Sequence, residues 1–421
     1  MNNTLFNNLT PEMQLLLACC TLSMKQNEQD RKESLERLFQ RDASQSAKRS
    51  REDAIDWSSF LNLVDRHSVD LLVYHNIHNY ATEQTLNHAS VPPDVRLTLK
   101  NRSDKRKVKT LTLTAELTHL SKLFAEHGIF MLSFKGPLLS QHLFGNLALR
   151  NAGDLDLLVK PEELEQAEQL LQKNGYQQLL PDFTLTPRQR KAYLKTNQHV
   201  SYYHPQSLKR IEIHWRLHAN RYLLPETYLQ QMMTRTQQLP LGGTQITTLS
   251  DEDMFLYLCL HGAHHGWSHL KWLCDIAQFL HREPAINWEA WIENVLKLGL
   301  HRPVAQALLL AHQLLDAPLP PATRLLMAEN KIVDQLVAHA IRVLTRSSEE
   351  LFAVGQLNAF RQMPYRMKLK ADPYYKWSDF SRIWSSANDW KHYPLPDALF
   401  PLYYVLGPFS WLRRKLAKRK K

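Results

Sequence analysis

Apolar residues recur with helical spacing over the first 120 residues and again from about residue 250. Such spacing is typical of helices that bury one face. "TPEMQLLLACC" opens with the N-cap threonine Thr10 and a proline at the first helical position, which is a strong start signal. The run "PPDVRLTLKNRSDKRKVKTLTLTAELTHLSKLFAEHG" predicts one long helix that ends at Gly128. Both ends of the chain are therefore predicted to be helical.

The pattern changes to short apolar runs in the middle of the chain. "IFMLSF" (129–134) and "DLDLLV" (154–159) predict buried strands, and "PEELEQAEQLLQKNG" predicts a helix between proline and glycine. "YQQLL" is a further strand candidate. "HVSYYH" and "RIEIHWRL", joined by "PQSLK", predict an antiparallel hairpin. These patterns predict an α+β fold in which short strands lie between helical flanks.

The chain has 421 residues, which favours more than one packed unit. We predict an N-terminal helical region (1–120), a sheet-containing core (121–249) and a C-terminal helical region with a basic tail (250–421). Hydrophobic residues make up 44% and charged residues 22%, which excludes a disordered chain. Only 12 glycines argue against a turn-rich all-β protein.

Charge and cysteine usage bear on the compartment and the partners. Seven positive charges of the net +11 lie in the tail "RRKLAKRKK" (413–421), so the rest of the chain is only mildly basic. The N-terminus has no basic and apolar leader pattern, and the four cysteines have no metal or disulfide spacing. We therefore expect a cytoplasmic protein. The segment 398–412 is short of the roughly 20 apolar residues of a spanning helix, which leaves a weak membrane-surface contact as an expectation.

The strand "GDLDLLV" carries two acids on one face. Alternation places Leu155 and Leu157 on one side and Asp154 and Asp156 on the other. Two carboxylates roughly 6–7 Å apart on one strand face can hold a hard divalent cation. In "RIEIHWRL", Glu212 shares the polar face, so a neighbouring position would cluster three acids that repel one another without a cation. The alternative interpretation is the polar edge of a buried strand.

The order of these motifs resembles a known family. "FKGPLLSQHLFGNLALRNAGDLDLLV", then "IEIHW", then "LCLHGAHHGWSHLKWLCDIA" is similar to the uncharacterised bacterial nucleotidyltransferases of the polymerase-β-like superfamily. The resemblance covers roughly residues 120–285. It implies a nucleotidyltransferase-like mixed sheet and in-line transfer of a nucleoside monophosphate from an NTP to a hydroxyl of a small molecule, peptide or protein, with release of pyrophosphate.

Site residues follow from the resemblance by position. Asp154 and Asp156 would bind two Mg²⁺ or Mn²⁺ ions. Glu212 would bind the second ion and help to activate the attacking hydroxyl. Lys135-Gly136 would occupy the phosphate turn that is commonly Gly-Ser in related enzymes, beside the anion-binding start of a helix.

Two further side chains are candidates for contact with the nucleotide. Arg150 would add a positive contact to the triphosphate or would clamp Asp154. His214 shares the face of Glu212 and would orient a carboxylate or contact the nucleotide.

The sequence alone does not decide the role of three histidines or choose among three functions for the chain. His261, His264 and His265 share a helix face, which allows a metal site, a substrate-facing role or core packing. Besides an active enzyme, the sequence allows a catalytically inactive nucleotide-binding scaffold or a nucleic-acid-processing transferase. The core lacks a basic stripe with interleaved aromatic residues, which argues against nucleic acid as a partner.

Overall fold

The computed structural model describes residues 9–21, 55–82, 91–327, 330–346, 358–382, 387–407 and 409. The charged segment 31–53 and the basic tail 413–421 lie outside the described residues. No helix in the described part of the chain is long and apolar enough to cross a membrane.

The N-terminal region is helical, as predicted. Its helices are α1 (Pro11–Thr21), α2 (Trp57–His67), α3 (Asp70–Thr82) and α4 (Pro93–Glu126). The Thr10 hydroxyl accepts a hydrogen bond from the amide of Met13 at 3.4 Å, which confirms the predicted cap. Ser68 adopts a left-handed conformation (φ 55°) and ends α2. The single helix predicted up to Gly128 is α4.

A mixed five-stranded sheet follows. Its elements in chain order are β1 (Met131–Ser133), α5 (Gly136–Phe144), β2 (Leu155–Val159), a 3₁₀ turn (Pro161–Glu163), α6 (Leu164–Lys173), β3 (Gln177–Leu180), α7 (Pro187–Thr196), β4 (His199–Tyr203) and β5 (Arg210–His214). The strand order is β1-β2-β5-β4-β3. Only β2 and β5 pair in parallel; the other neighbours are antiparallel. The predicted strands and the β4–β5 hairpin are confirmed.

The two faces of the sheet pack into different apolar cores. Leu155 and Leu157 of β2 lie in a core with residues of α4 and α6. Leu158 points the other way, into a larger core shared by the N-terminal and C-terminal helices. Because side chains alternate along a strand, Asp156 lies on the face of Leu158. The polar face of β2 is thus covered by the helical flanks.

The segment that follows β5 includes a hairpin that the sequence pattern did not predict. It comprises α8 (Glu226–Thr234), β6 (Gln237–Leu241), β7 (Thr244–Thr248), α9 (Asp251–His264), α10 (Leu270–His281), α11 (Trp288–Lys297), α12 (His301–Leu315), a 3₁₀ turn (Pro321–Met327), α13 (Lys331–Leu344), α14 (Asn358–Leu369), α15 (Pro373–Ser381), α16 (Ala387–His392) and a 3₁₀ turn (Asp397–Leu399). Gly242 and Gly243, both with positive φ, form the tight turn between β6 and β7.

Cysteine burial and helix capping agree with the sequence interpretation. All four cysteines are buried, as expected of small core residues. The Ser250 hydroxyl accepts a hydrogen bond from the Asp253 amide at 3.3 Å and caps the start of α9. The division into three regions at residues 120 and 249 stays a prediction.

Candidate active site

Strand register brings the predicted acids to neighbouring positions. Asp156 is the Cα partner of Glu212 across the parallel β2–β5 pair, and Asp154 immediately precedes β2. His199 is the partner of His214 across the antiparallel β4–β5 pair. Directly opposite residues share a face of the sheet. The polar side chains of β2, β4 and β5 therefore meet on the face covered by α9.

The three carboxylates differ in their electrostatic surroundings. Burial, together with the charges of Asp156 and Glu212, raises the pKa of Asp154. Burial also opposes ionisation of Asp156, but the Lys135 ammonium and His214 outweigh it and hold its pKa well below the usual range. Glu212 likewise has a lowered pKa, because His214 and His199 outweigh its burial. Of the three carboxylates, Asp154 is thus the one whose ionised form the protein stabilises least.

Lys135 pairs directly with one of these acids. Its Nζ lies 2.9 Å from Oδ1 of Asp156, and the ammonium lies 5.5 Å from the ring centres of both Phe134 and Tyr257. Burial disfavours the ammonium, but the charge of Asp156 outweighs burial and raises the pKa of Lys135. Lys135 therefore stays a cation at the edge of the acid cluster.

The turn at Gly136 requires glycine for two reasons. Its φ is +64°, and a Cβ there would lie 3.3 Å from the carbonyl oxygen of Asp154 and 3.7 Å from Cδ2 of Leu155. Helix α5 begins at this glycine with Pro137 in its first turn. The predicted phosphate turn thus packs against the backbone at the start of β2.

Arg150 is engaged by a different acid from the one considered in the sequence. Its Nε and Nη2 donate to the two carboxylate oxygens of Asp275 at 2.7 and 3.0 Å, and Nη1 donates to the carbonyl of Gly136 at 3.5 Å. The side chain is 6% exposed. The predicted clamp of Arg150 on Asp154 is therefore wrong. Arg150 instead connects the Lys135-Gly136 turn to α10 through Asp275. Its contact with a triphosphate stays a prediction.

His214 lies between two carboxylates. Its Nε2 is 3.3 Å from Oδ1 of Asp156 and 3.3 Å from Oε2 of Glu212. Burial disfavours the imidazolium, yet these neighbours outweigh burial and raise the pKa of His214. Nε2 of His199 lies 3.6 Å from Oε1 of Glu212. Within the described part of the chain, His199, Glu212 and His214 form a group whose ligand atoms all lie within 4.8 Å of one another.

Sequence reasoning missed several residues of this site. His199 was assigned only to a strand, and its place opposite His214 emerges from the hairpin register. Lys271 of α10 lies close enough to Asp154 to influence its pKa, while burial and the charge of Arg150 lower the pKa of Lys271 to about 8. The charge of Asp154 also acts on Lys109 of α4, whose pKa burial lowers. Nothing in the sequence links these lysines to the acids, because the contacts are long-range.

The second histidine group is packed. His218, His261, His264 and His265 line a cavity with Tyr257, and its volume of about 10 Å³ holds roughly one water. The rings of His218 and His264 lie 4.3 Å apart, and burial lowers the pKa of both, to about 3 for His218. This arrangement favours core packing among the three interpretations of these helix residues.

The sequence of this chain matches a known protein family. The family described as "Uncharacterised nucleotidyltransferase" matches residues 53–316, which include both acid-bearing strands and the phosphate turn. The chain belongs to this nucleotidyltransferase family. No curated protein and no solved structure matches the chain significantly. Family membership makes the chain a transferase at the coarse level.

Proposed function

We propose that the chain transfers a nucleoside monophosphate from an NTP to a hydroxyl of a small molecule, peptide or protein, and that its core belongs to the polymerase-β-like superfamily. One observation carries this proposal: parallel pairing sets Asp156 beside Glu212, with Asp154 adjoining. Paired acids on neighbouring strands suit nucleotide chemistry, which requires charge neutralisation at the transferred phosphate.

The donor set fits a hard divalent cation. Asp154, Asp156 and Glu212 offer carboxylate oxygens, the ligands that Mg²⁺ prefers, and Mn²⁺ accepts the same ligands. Burial and the charges of Asp156 and Glu212 raise the pKa of Asp154, so a cation bound there would reduce the repulsion among the acids. When bound, the cation would polarise phosphate oxygens and reduce their repulsion of the acids.

Three lysines surround the acids and suit a triphosphate. Lys135 pairs with Asp156, while the charge of Asp154 acts on Lys109 of α4 and Lys271 of α10. The N-terminus of α5 beside them adds the positive end of a helix dipole. A chain with three cations around an acid pair can bind the phosphates and the cation together.

In the proposed reaction, the acceptor oxygen forms a bond to the α-phosphorus as the bond to the bridging β-phosphate oxygen breaks. Pyrophosphate leaves with that oxygen. Glu212, whose side chain is 22% exposed, accepts the hydrogen bond of the incoming hydroxyl, and the proton passes to solvent. Lys135 and Lys271 hold the departing phosphates through their charges.

A second candidate function is a nucleotide-binding scaffold without catalysis. The contact that favours it is the 2.9 Å pair between Lys135 and Asp156, because an internal cation there neutralises one of the acids. A scaffold would bind NTP and transfer nothing.

Labelled nucleotides separate these functions. The full chain is incubated with nuclease-treated cell extract, Mg²⁺ or Mn²⁺, and each NTP labelled in the α- or the γ-phosphate. Nucleotidyl transfer labels an acceptor from the α-label only. We expect Asp154→Asn and Asp156→Asn to lower transfer at least about 100-fold.

The matched control is Asp104→Asn on α4, an exposed acid that pairs with Lys100 at 2.9 Å. It should transfer at the rate of the unmodified chain. Binding of all four NTPs without labelling of any acceptor would support the scaffold, and undiminished transfer by folded Asp154→Asn would refute the assignment of the acids.

A further inference from the structure

A second group of metal-binding atoms adjoins the acid pair. Hairpin register sets His199 opposite His214, and Glu212 lies on the same face of β5. Their ligand atoms lie within 4.8 Å of one another. Nε2 of His199 is 3.6 Å from one oxygen of Glu212, and Nε2 of His214 is 3.3 Å from the other. Bonds of 2.0–2.1 Å to a tetrahedral ion would separate neighbouring ligands by roughly 3.4 Å.

The Nε2 nitrogen of His214 is buried between two carboxylates without a well-aligned hydrogen bond to either. The His214 side chain is 2% exposed, and Nε2 points between Glu212 and Asp156. Nε2 makes a hydrogen bond of good geometry with neither acid, nor with any other described residue. Buried imidazole nitrogens are ordinarily satisfied, and an orphaned one costs free energy. A bound cation would supply the missing partner of Nε2.

His199 is the more accessible of the two imidazoles. Its side chain is 27% exposed, so an ion can reach the group from solvent.

The donors determine which metals fit. Imidazole suits zinc, copper, iron and nickel, whereas Mg²⁺ and Mn²⁺ prefer carboxylates, carbonyls and water. Asp154 and Asp156 offer oxygen alone, so the two groups differ in chemistry although they are adjacent.

We propose that His199, His214 and Glu212 form a transition-metal site of the Zn²⁺ class beside the Mg²⁺ ligands Asp154 and Asp156, with Glu212 common to both. The site shares Glu212 with the proposed function but does not depend on nucleotide. It places a second cation beside the carboxylate that faces the acceptor.

Co²⁺ and Zn²⁺ are the probes. The full chain, stripped of metal and free of nucleotide, is titrated with Co²⁺ while visible absorption is recorded, and Zn²⁺ is counted by equilibrium dialysis. We expect one tightly bound ion per chain, absorption bands of a nitrogen-containing low-coordinate site, and no displacement by about 100-fold excess Mg²⁺.

Ligand variants locate the ion. His199→Gln and His214→Gln should each weaken Co²⁺ binding at least about 10-fold and alter its spectrum. The matched control is His142→Gln: His142 pairs with a single acid, Asp251, at 2.8 Å and belongs to no described three-ligand group. It should bind Co²⁺ like the unmodified chain.

Folding is checked by circular dichroism for every variant. If His214→Gln unfolds, the more exposed His199→Gln carries the test. Unchanged Co²⁺ affinity in folded His199→Gln, or easy displacement by Mg²⁺, would overturn the proposed site. Co²⁺ binding by a chain that labels no acceptor would support this metal site and refute the transfer reaction. Nucleotidyl transfer by a chain that binds no Co²⁺ would support the transfer reaction and refute the metal site.

Discussion

Lys135 shows how one residue changes the chemistry of a phosphate turn. Where related enzymes commonly place a serine hydroxyl, this chain offers glycine, and a lysine precedes it. The ammonium lies 2.9 Å from Asp156 and remains charged. Compared with a Gly-Ser turn, the Lys-Gly turn lacks a hydroxyl that could form a directional hydrogen bond. It offers instead a full positive charge that would attract the proposed triphosphate.

Lys271 gives the site a pH dependence. Burial and the charge of Arg150 lower its pKa to about 8, so it is cationic below that pH and neutral above it. We expect NTP affinity to fall as pH rises through 8, with the step moved upward if bound phosphate stabilises the cation. Isothermal titration calorimetry with NTP between about pH 7 and 9.5 measures the effect.

The control for this titration is Lys271→Arg. Guanidinium stays charged across the whole range, so the step in affinity should vanish while binding near pH 7 persists. A step that survives in Lys271→Arg would assign the titration to another group.

At the scale of elements, helix α5 has a left-handed glycine at each end. Gly136 and Gly145 have φ of +64° and +62°, but only at Gly136 would a Cβ approach other described atoms, those of Asp154 and Leu155. We expect either alanine variant to lower the free energy of unfolding by roughly 1–2 kcal/mol. Gly136→Ala should also lower nucleotidyl transfer, because the Cβ pushes against the strand that carries the acids.

Thermal melts and transfer rates of the two variants test this difference. Gly145→Ala should keep its transfer rate while it loses stability. Equal loss of transfer in both variants would mean that strain in α5, and not the close approach to Asp154, controls the site.

The Arg150–Asp275 pair connects the turn before α5 with α10. Breaking a buried two-point ion pair leaves an uncompensated charge, so Arg150→Met should cost about 3–5 kcal/mol of stability. Arg150→Met/Asp275→Leu removes both charges and should recover most of that loss. We expect NTP affinity to recover with it, as a positioning role requires; denaturant melts and calorimetry measure both.

If stability returned in the double variant but NTP affinity stayed at least about 10-fold low, Arg150 would contact the phosphates directly. That outcome would support the role that the sequence predicted for it.

At the scale of the whole molecule, the helical flanks complete the site. The N-terminal and C-terminal helices share one apolar core, which also includes Leu158 on the face of the sheet that carries Asp156. Asp70 of α3 accepts a hydrogen bond from Asn151 at 3.0 Å, three residues before Asp154. Lys109 lies on α4, which precedes the five-stranded sheet in the sequence, and Lys271 lies on α10, which follows it. The acids therefore obtain their cations from both flanks.

The C-terminal segment exposes apolar residues just before the basic tail. Leu402, Tyr404, Val405 and Phe409 are 44–69% exposed. Apolar contact combined with seven positive charges would favour an anionic lipid surface, at about 1 kcal/mol per charge. We expect flotation with vesicles that contain phosphatidylserine, weakened by high salt and by deletion of 413–421.

Vesicles of phosphatidylcholine alone are the control. Equal flotation with neutral and anionic vesicles, or no change on deletion of the tail, would contradict this contact.

Sequence by itself determined much of the local structure. Alternation in "DLDLLV" and "RIEIHW" determined which side chains face the apolar core, because the period of a strand is two. Proline and glycine marked the limits of α6, and the cap residue Thr10 marked the start of α1. The motif order also indicated the family to which the chain belongs.

Only tertiary structure decided which partners meet. That Arg150 pairs with Asp275, that His199 faces His214, and that Lys271 lies near Asp154 depends on contacts between distant segments. Periodicity describes one element at a time, whereas strand order and helix packing bring separate elements together. The sequence thus determined the faces and the acids, and the fold decided which cations and imidazoles surround them.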